Sequence, residues 1–153
     1  MVKPIPDDYP RVTPYLIVAG ASAAIDFYSS VLGATERVRM NGPDGRVGHA
    51  ELGLGEAVIM LADENPEMDA RGPLTIGGSP VTLHVYVEDA DAVFERAVQA
   101  GAKPLRPVED QFYGDRSGQF EDPFGHRWNV ATHVEDVPPE EMAERAKAVM
   151  AGG

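Results

Sequence analysis

Two kinds of hydrophobic spacing alternate along the chain, and each predicts a different element. From Val81 to Val87, valine or leucine occupies every second position, and threonine, histidine and tyrosine fill the positions between. This period of two predicts a strand with one apolar face. Directly after it, Ala90 to Ala100 has apolar residues three and four apart. That spacing predicts an amphipathic helix, capped by Asp89 or Asp91 and ended by Gly101.

The same order of elements occurs earlier in the chain. A strand is predicted from Val12 to Val18 and a helix from about Ala21 to Leu32, with Ser22 as a plausible N-cap and Gly33 at its end. Both predicted helices end in Gly-Ala and lead into another strand, so the chain contains one internal duplication. The remaining strands are predicted at Thr35–Met40, Val47–Leu52 and Ala57–Ala62 in the first copy, and near Lys103–Leu105, Ser117–Glu121 and His126–Thr132 in the second.

The duplication predicts an α+β fold of two tandem βαβββ modules, which form a curved mixed sheet around a concave pocket. A helix from about Pro138 to Met150 follows the second module. We expect one compact domain overall, divided into an N-terminal arm (1–11), the first module (12–66), a linker (67–80), the second module (81–134), and a C-terminal helix and tail (135–153).

Composition narrows the classes of function. The chain has 153 residues and a formal net charge of −12, which disfavours nucleic acid and anionic membrane surfaces as partners. It has no cysteine, which excludes disulfides, thiolate metal sites and a cysteine nucleophile. The amino-terminal sequence lacks an apolar signal region, and no apolar run has the length of a membrane span. A cytoplasmic protein is therefore expected.

Several short motifs, in order, resemble those of a known superfamily. AIDFYSSVLGA (Ala24–Ala34), VYVEDADAVFERAVQAGA and DPFGHRWNVATH are similar to motifs of the vicinal oxygen chelate superfamily, which includes glyoxalase I, extradiol dioxygenases and bleomycin-resistance proteins. TPYL, GHAEL, GDRSG and DPFGHRW resemble the PhnB-like branch. The resemblance covers roughly Val12 to His133 and implies the duplicated fold, a small-molecule ligand and a homodimer.

The resemblance also implies where a metal would bind in the metal-dependent members. Their four ligands are His, Glu or Gln from the first and last strands of each module. Aligned by the flanking motifs, these positions fall at Thr13, Met60, Thr82 and Asn129. None is a good ligand for a divalent cation, and Met60 would offer a soft thioether. We therefore predict no metal and no cofactor. A shift of two residues would bring His84 to the ligand level but would leave the first module without a ligand.

Three residues are candidates for acid–base chemistry. His84 shares a strand face with Tyr86, and a neutral imidazole beside a phenol suits a general base. The alternative is that His84 only bonds a neighbouring strand or a second subunit. His49 and Glu51 are two residues apart on one predicted strand and could reach one ligand. They could equally lie on the outer face of a half-exposed strand.

Other residues are candidates for ligand contacts. Arg127 could grip an anion or form a salt bridge to a nearby acid. The segment Glu109–Gly118 is predicted as a loop at the pocket mouth that would set specificity, although Asp115 and Arg116 within it are expected to be structural. The full predicted ligand-binding set is Tyr15, Met60, His84, Tyr86, Gln111, Tyr113, Arg127 and Asn129.

Two functions follow from these residues. The first is a small-molecule-binding protein that lacks the usual metal ligands. The second is a lyase, isomerase or hydrolase that acts on a small oxygen-rich substrate, with His49, Glu51 or His84 as the acid or base. A scaffold protein with a vestigial pocket is a third class, which a cavity filled by apolar side chains would favour.

Overall fold

The computed structural model describes residues 2–152, which form an α+β architecture with two four-stranded mixed sheets. The predicted pair of βαβββ modules is confirmed. The chain divides into two compact units. The first holds the residues up to Pro80 together with Pro123–His126, and the second holds Val81–Asp122 and the chain from Arg127 onward.

The first unit contains one complete module. Its sheet has the order β1-β4-β3-β2, with β1 parallel to β4 and the other neighbours antiparallel. One face of its long helix is buried, because alanine, isoleucine, aromatic and leucine side chains recur on that face. The elements are β1 (Tyr15–Val18), α1 (Ala21–Leu32), β2 (Thr35–Asn41), β3 (Val47–Leu54), β4 (Ala57–Asp63), a 3-10 helix (Pro66–Met68) and α2 (Pro73–Ile76).

The second unit repeats this topology with the order β5-β8-β7-β6, and β5 is parallel to β8. Its core includes Phe120, Trp128 and Val130, and the Trp128 indole donates to Asp122 at 2.9 Å. The elements are β5 (Thr82–Tyr86), α3 (Ala90–Gln99), β6 (Lys103–Asp110), β7 (Asp115–Glu121), β8 (Arg127–His133) and α4 (Pro139–Gly152).

The first helix is capped in a way that differs from the prediction. Ser22 does not cap it. The N-cap is Gly20, and the backbone N–H groups at the start of α1 donate to a side chain at the end of β4. Asp63, at the end of β4, accepts from the N–H groups of Gly20 at 2.9 Å and Ala21 at 2.8 Å with one oxygen, and from Val47 at 2.8 Å with the other. The predicted cap of the third helix is confirmed, since Asp89 accepts from Ala92.

The predicted loop from Glu109 to Gly118 is mostly strand. β6 extends to Asp110, β7 begins at Asp115, and only four residues connect them. The Gln111 N–H donates to the Asp115 carbonyl at 2.7 Å, and Gly114 adopts φ 100°, which closes a tight hairpin. The sequence underestimated these strands because polar residues fill their exposed positions.

Two further features concern the start of β8 and the C-terminal helix. His126 is half-buried, and its Nε2 lies 3.0 Å from the Ile17 carbonyl oxygen within the first unit. α4 carries no buried side chain among its described residues, and Met150 is 83% exposed. Within residues 2–152, none of the helices combines the length and apolarity that crossing a membrane would require.

Candidate functional site

The first unit contains a cavity of about 480 Å³ beside its sheet. A volume of this size is within the range of small-molecule sites. It lies between the ends of β1, β3 and β4, the β2–β3 turn and the segment after β4. Its less polar lining is Tyr15, Ile17, Val47, Ala62 and Met68, and its charged lining is Asp44, Arg46, Asp63 and Glu64.

The strand register brings the side chains of the first module's polar candidates together. Met60 on β4 pairs with Tyr15 on β1 and with Glu51 on β3, so these three residues form one row across the sheet. His49 lies two residues before Glu51 on the same strand and therefore on the same face. The predicted shared face of His49 and Glu51 is present in the structure, and Tyr15 joins it.

A continuous string of hydrogen bonds connects this cluster. The Tyr15 hydroxyl lies 2.8 Å from His49 Nδ1, and His49 Nε2 lies 2.8 Å from Glu51 Oε2. Tyr9, from the N-terminal arm, donates its hydroxyl to Glu51 Oε1 at 2.6 Å. The Arg37 guanidinium lies 4.9 Å from the centre of the Tyr9 ring, which helps to hold the arm in place.

The hydrogen bonds and charges of the string shift the pKa values of Glu51, Tyr9 and Tyr15. Hydrogen bonds from His49 and Tyr9 hold the pKa of Glu51 below its usual value, so this nearly buried carboxyl (6% exposed) is ionised. The bond to Glu51 raises the pKa of Tyr9, and burial together with the charge of Glu51 raises the pKa of Tyr15. Both tyrosines therefore keep their protons at neutral pH.

The second unit contains its own cavity, of about 390 Å³. Its lining is mostly polar: Thr82, His84, Arg106, Glu109, Gln111, Tyr113, Ser117, Gln119 and Asn129, with Gly118. Four of the predicted ligand-binding residues, His84, Gln111, Tyr113 and Asn129, therefore line one cavity. Tyr15, a fifth, lines the cavity of the first unit.

His84 is bonded to an amide instead of a carboxylate. Its Nδ1 lies 2.7 Å from the Asn129 side-chain nitrogen, and its ring packs edge-on against Tyr86 with 4.9 Å between the ring centroids. Since the amide nitrogen only donates, Nδ1 accepts and the ring proton is on Nε2. The hydrogen-bond partner of His84 is thus a neutral amide, whereas that of His49 Nε2 is the carboxylate of Glu51.

Two predicted ligand-binding residues of the second unit are engaged elsewhere. The Tyr86 hydroxyl donates to buried Asp115 at 2.8 Å, which raises the pKa of Tyr86. Arg127 pairs with Glu121 at 3.6 Å and lies opposite Thr82. Neither is among the residues that line the cavity. The structural roles expected for Asp115 and Arg116 agree with their contacts, since Arg116 binds Asp91 and Asp110.

The donor set does not fit a divalent metal of the kind implied by the resemblance. The implied ligand positions Thr13, Met60, Thr82 and Asn129 offer two hydroxyls, a thioether and an amide, none of which is a good ligand for a divalent cation. In the parallel pairs, Met60 lies opposite Tyr15 and Asn129 lies opposite His84, and of these two register partners only the His84 imidazole is a good ligand. In residues 2–152, no cluster of three or more His, Cys, Asp or Glu side chains could hold a metal.

Sequence reasoning missed Tyr9 and Asp63. Tyr9 is 42 residues from Glu51 and lies in a segment rich in proline and aspartate that was interpreted as an arm. Asp63 follows a strand, and a carboxylate at that place could have been recognised as a possible cap. Which helix it caps depends on the strand order, which the local pattern does not encode.

Comparisons with known proteins agree on the fold. The model of the Glyoxalase/Bleomycin resistance protein/Dioxygenase superfamily matches residues 10–130. The uncharacterized protein Rv0887c of Mycobacterium tuberculosis is 43% identical over 136 residues, which are 87% of this chain and 80% of that protein.

Two solved structures are similar. The protein PA1353 of Pseudomonas aeruginosa is 25% identical with a TM-score of 0.66, covering 82% of this chain and 99% of its own. The PhnB protein of Bacillus cereus shares the fold, with 21% identity, a TM-score of 0.64, and coverage of 80% of this chain and 99% of its own. The match to the family model confirms the resemblance to the superfamily that the sequence motifs indicated.

Proposed function

Because the chain belongs to the glyoxalase/bleomycin resistance protein/dioxygenase superfamily, we propose that it binds a small organic molecule in the cavity of its first unit without a metal centre. One observation carries this proposal. The positions where the resemblance implies metal ligands carry Thr13, Met60, Thr82 and Asn129, none of which is a good ligand for a divalent cation. The polar groups of Tyr15 and His84, which lie opposite Met60 and Asn129, are bonded to protein partners.

The lining of the cavity supports a particular kind of ligand. Apolar side chains form part of the wall, and a ligand would bury its own apolar surface against them. The wall carries three carboxylates, from Asp44, Asp63 and Glu64, and one guanidinium, from Arg46. The Arg46 Nε is already bonded to Asp44 at 2.6 Å. An anion would therefore be disfavoured, and a neutral, mostly apolar molecule fits the wall best.

A second candidate function is catalysis by a lyase, isomerase or hydrolase. The observation that favours it is the orientation of His49 by an ionised, nearly buried Glu51, which is the arrangement that general bases commonly use. His84 supports this alternative less well, because its hydrogen-bond partner is the neutral Asn129.

The binding proposal can be tested with a fragment library and NMR spectra of the labelled protein. We expect fragments to shift the signals of Ile17, Val47 and Ala62, and we expect Ile17→Phe, which enlarges a wall residue, to weaken binding at least tenfold. Val98→Phe, a matched change on a helix of the second unit, should leave binding unchanged. Hits that shift only residues of the second unit, or no hits in the library, would contradict the proposal.

The claim of metal independence has its own measurement. Elemental analysis of protein purified without chelator or affinity metal should find no stoichiometric divalent ion, and fragment affinities should be the same with excess EDTA. One tightly bound metal ion per chain, with affinity lost on chelation, would overturn this part of the proposal.

A further inference from the structure

The hydrogen-bond string of the first unit determines which nitrogen of His49 carries the proton. Ionised Glu51 can only accept, so His49 Nε2, 2.8 Å from Glu51 Oε2, must be the nitrogen that bears hydrogen. Nδ1 of the neutral ring then has a free lone pair, and it accepts from the Tyr15 hydroxyl at 2.8 Å. His49 is thus a neutral base whose basic nitrogen faces a phenol.

Glu51 is shielded from water on its other side. The Tyr9 hydroxyl occupies Oε1 at 2.6 Å, and only 6% of Glu51 is exposed. A proton that reached His49 Nδ1 would leave the imidazole bonded through its Nε2–H to the Glu51 carboxylate at 2.8 Å, as an imidazolium–carboxylate pair.

Tyr15 is the member of the string that a ligand can reach from the cavity. It lines the cavity and is 48% exposed, whereas His49 and Glu51 are not among the lining residues. The Tyr15 oxygen donates its own hydrogen to His49 and keeps lone pairs that a ligand hydroxyl can approach. A proton from a ligand would therefore reach His49 by way of Tyr15.

We propose that Tyr15, His49 and Glu51 form a proton-accepting site for a neutral ligand with a weakly acidic hydroxyl group, such as a phenol or an enol. The ligand O–H bond breaks and its proton binds the Tyr15 oxygen, while the Tyr15 proton moves to His49 Nδ1. The ligand becomes an anion, His49 becomes an imidazolium, Tyr15 is a phenol before and after, and Glu51 remains a carboxylate.

The charges around the cavity fit this ligand class. Asp44, Asp63 and Glu64 in the wall disfavour the entry of an anion from solvent, so the ligand enters neutral. Inside the cavity, Asp44 is paired with Arg46 and Asp63 accepts from three backbone N–H groups, which weakens their repulsion of an anion formed at Tyr15. The proton that the ligand releases stays on His49, so the complex gains no net charge. The inference rests on the proposed binding function and adds the chemical class of the ligand to it.

The probe for this inference is 4-nitrophenol, a neutral aromatic weak acid whose anion is yellow. Absorbance titrations near the pKa of the free probe measure how much of the bound probe is ionised. We expect the ratio of anion to neutral form to be at least about tenfold higher for the bound than for the free probe, which corresponds to about one pKa unit. Tyr15→Phe and His49→Gln should abolish this excess. His133→Gln, the same type of substitution in the second unit, should retain it.

The following outcomes would contradict the inference. If the probe binds but its ionised fraction equals that of the free probe, or if the excess survives in His49→Gln, the proton-accepting site is refuted and the binding function still stands. If no saturable spectral change occurs at millimolar probe, the ligand class is wrong, while the fragment measurements judge the binding function separately. In a ligand-free check, nitrogen NMR should find the Nε2–H tautomer of His49, and the Nδ1–H tautomer would also refute the inference.

Discussion

At the scale of single residues, two side chains at the ends of β4 and β8 have the same role, which is to accept hydrogen bonds from the start of a helix. Asp63 binds the first N–H groups of α1, and Thr132 accepts from the Ala90 N–H at the start of α3 at 2.9 Å. Thr132 also donates to the Val87 carbonyl at 2.9 Å. Each module thus uses its last strand to satisfy the first turn of its helix, which otherwise has unpaired backbone donors.

The role of Asp63 gives a stability prediction. Asp63→Ala removes the acceptor of three backbone N–H groups, so we expect the free energy of unfolding to fall by about 2–3 kcal/mol. Urea denaturation followed by circular dichroism measures this change. Asp26→Ala, an exposed carboxylate on α1, is the control and should change stability by less than about 0.5 kcal/mol. Equal losses in the two variants would show that Asp63 has no capping role.

Residue patterns alone found part of the candidate site. Strand alternation correctly placed His49 with Glu51 on one face, because a period of two is a local property of the chain. It did not bring Tyr15 to His49, since their contact depends on the pairing of β1 with β4 and of β4 with β3. A local pattern encodes which face a residue is on, but not which strand lies beside it.

At the scale of elements, a small charged network joins three strands of the second unit. Buried Asp115 on β7 accepts from Tyr86 on β5 and from His133 Nδ1 on β8, at 2.8 and 2.9 Å. Asp136, beyond β8, lies 2.7 Å from His133 Nε2. The hydrogen bond to Asp136, followed by that to Asp115, raises the pKa of His133 above its usual value.

The raised pKa predicts how stability changes with pH. A raised folded-state pKa means that the His133 contribution is complete below the unfolded value of about 6.5 and is lost as pH rises through the folded value. In thermal unfolding scans, His133→Gln should remove part of the fall in midpoint temperature from slightly acidic to alkaline pH. Asp136→Asn, which removes the largest cause, should have a smaller effect of the same sign. Parallel curves for wild type and His133→Gln would contradict this.

Some helix and strand boundaries are set by the local sequence, and others are set by pairing with a distant strand. α1 begins and ends where the sequence predicted, because Gly33 adopts the left-handed conformation that ends helices. The first strand begins at Tyr15 instead of Val12, since its residue register with β4 starts at the Tyr15–Met60 pair. β6 and β7 are longer than predicted, because pairing with each other extends them through polar positions.

At the scale of the whole molecule, the chain carries many apolar side chains that its own fold does not cover. Among residues 2–152, Leu74, Ile76, Val149 and Met150 are all more than half exposed. Exposed apolar groups of this size favour association. A homodimer, which the sequence resemblance also implied, would remove part of this surface from water.

The homodimer is a prediction with a simple measurement. Light scattering coupled to size-exclusion chromatography should give a particle of about twice the chain mass of 16.4 kDa. Two protein concentrations tenfold apart serve as the control, because a weak dimer would dissociate on dilution. A mass equal to that of one chain at both concentrations would contradict the prediction.

The sequence by itself determined the two βαβββ modules, most helix and strand positions, the acidic charge and the absence of cysteine chemistry. These properties depend on hydrophobic period, glycine conformation and composition, which act over a few residues or over the whole chain without regard to geometry. The tertiary structure alone decided that Tyr9, Tyr15, His49 and Glu51 meet, and that His84 lies opposite Asn129. Those contacts depend on strand order and register, which result from pairing between segments far apart in the chain.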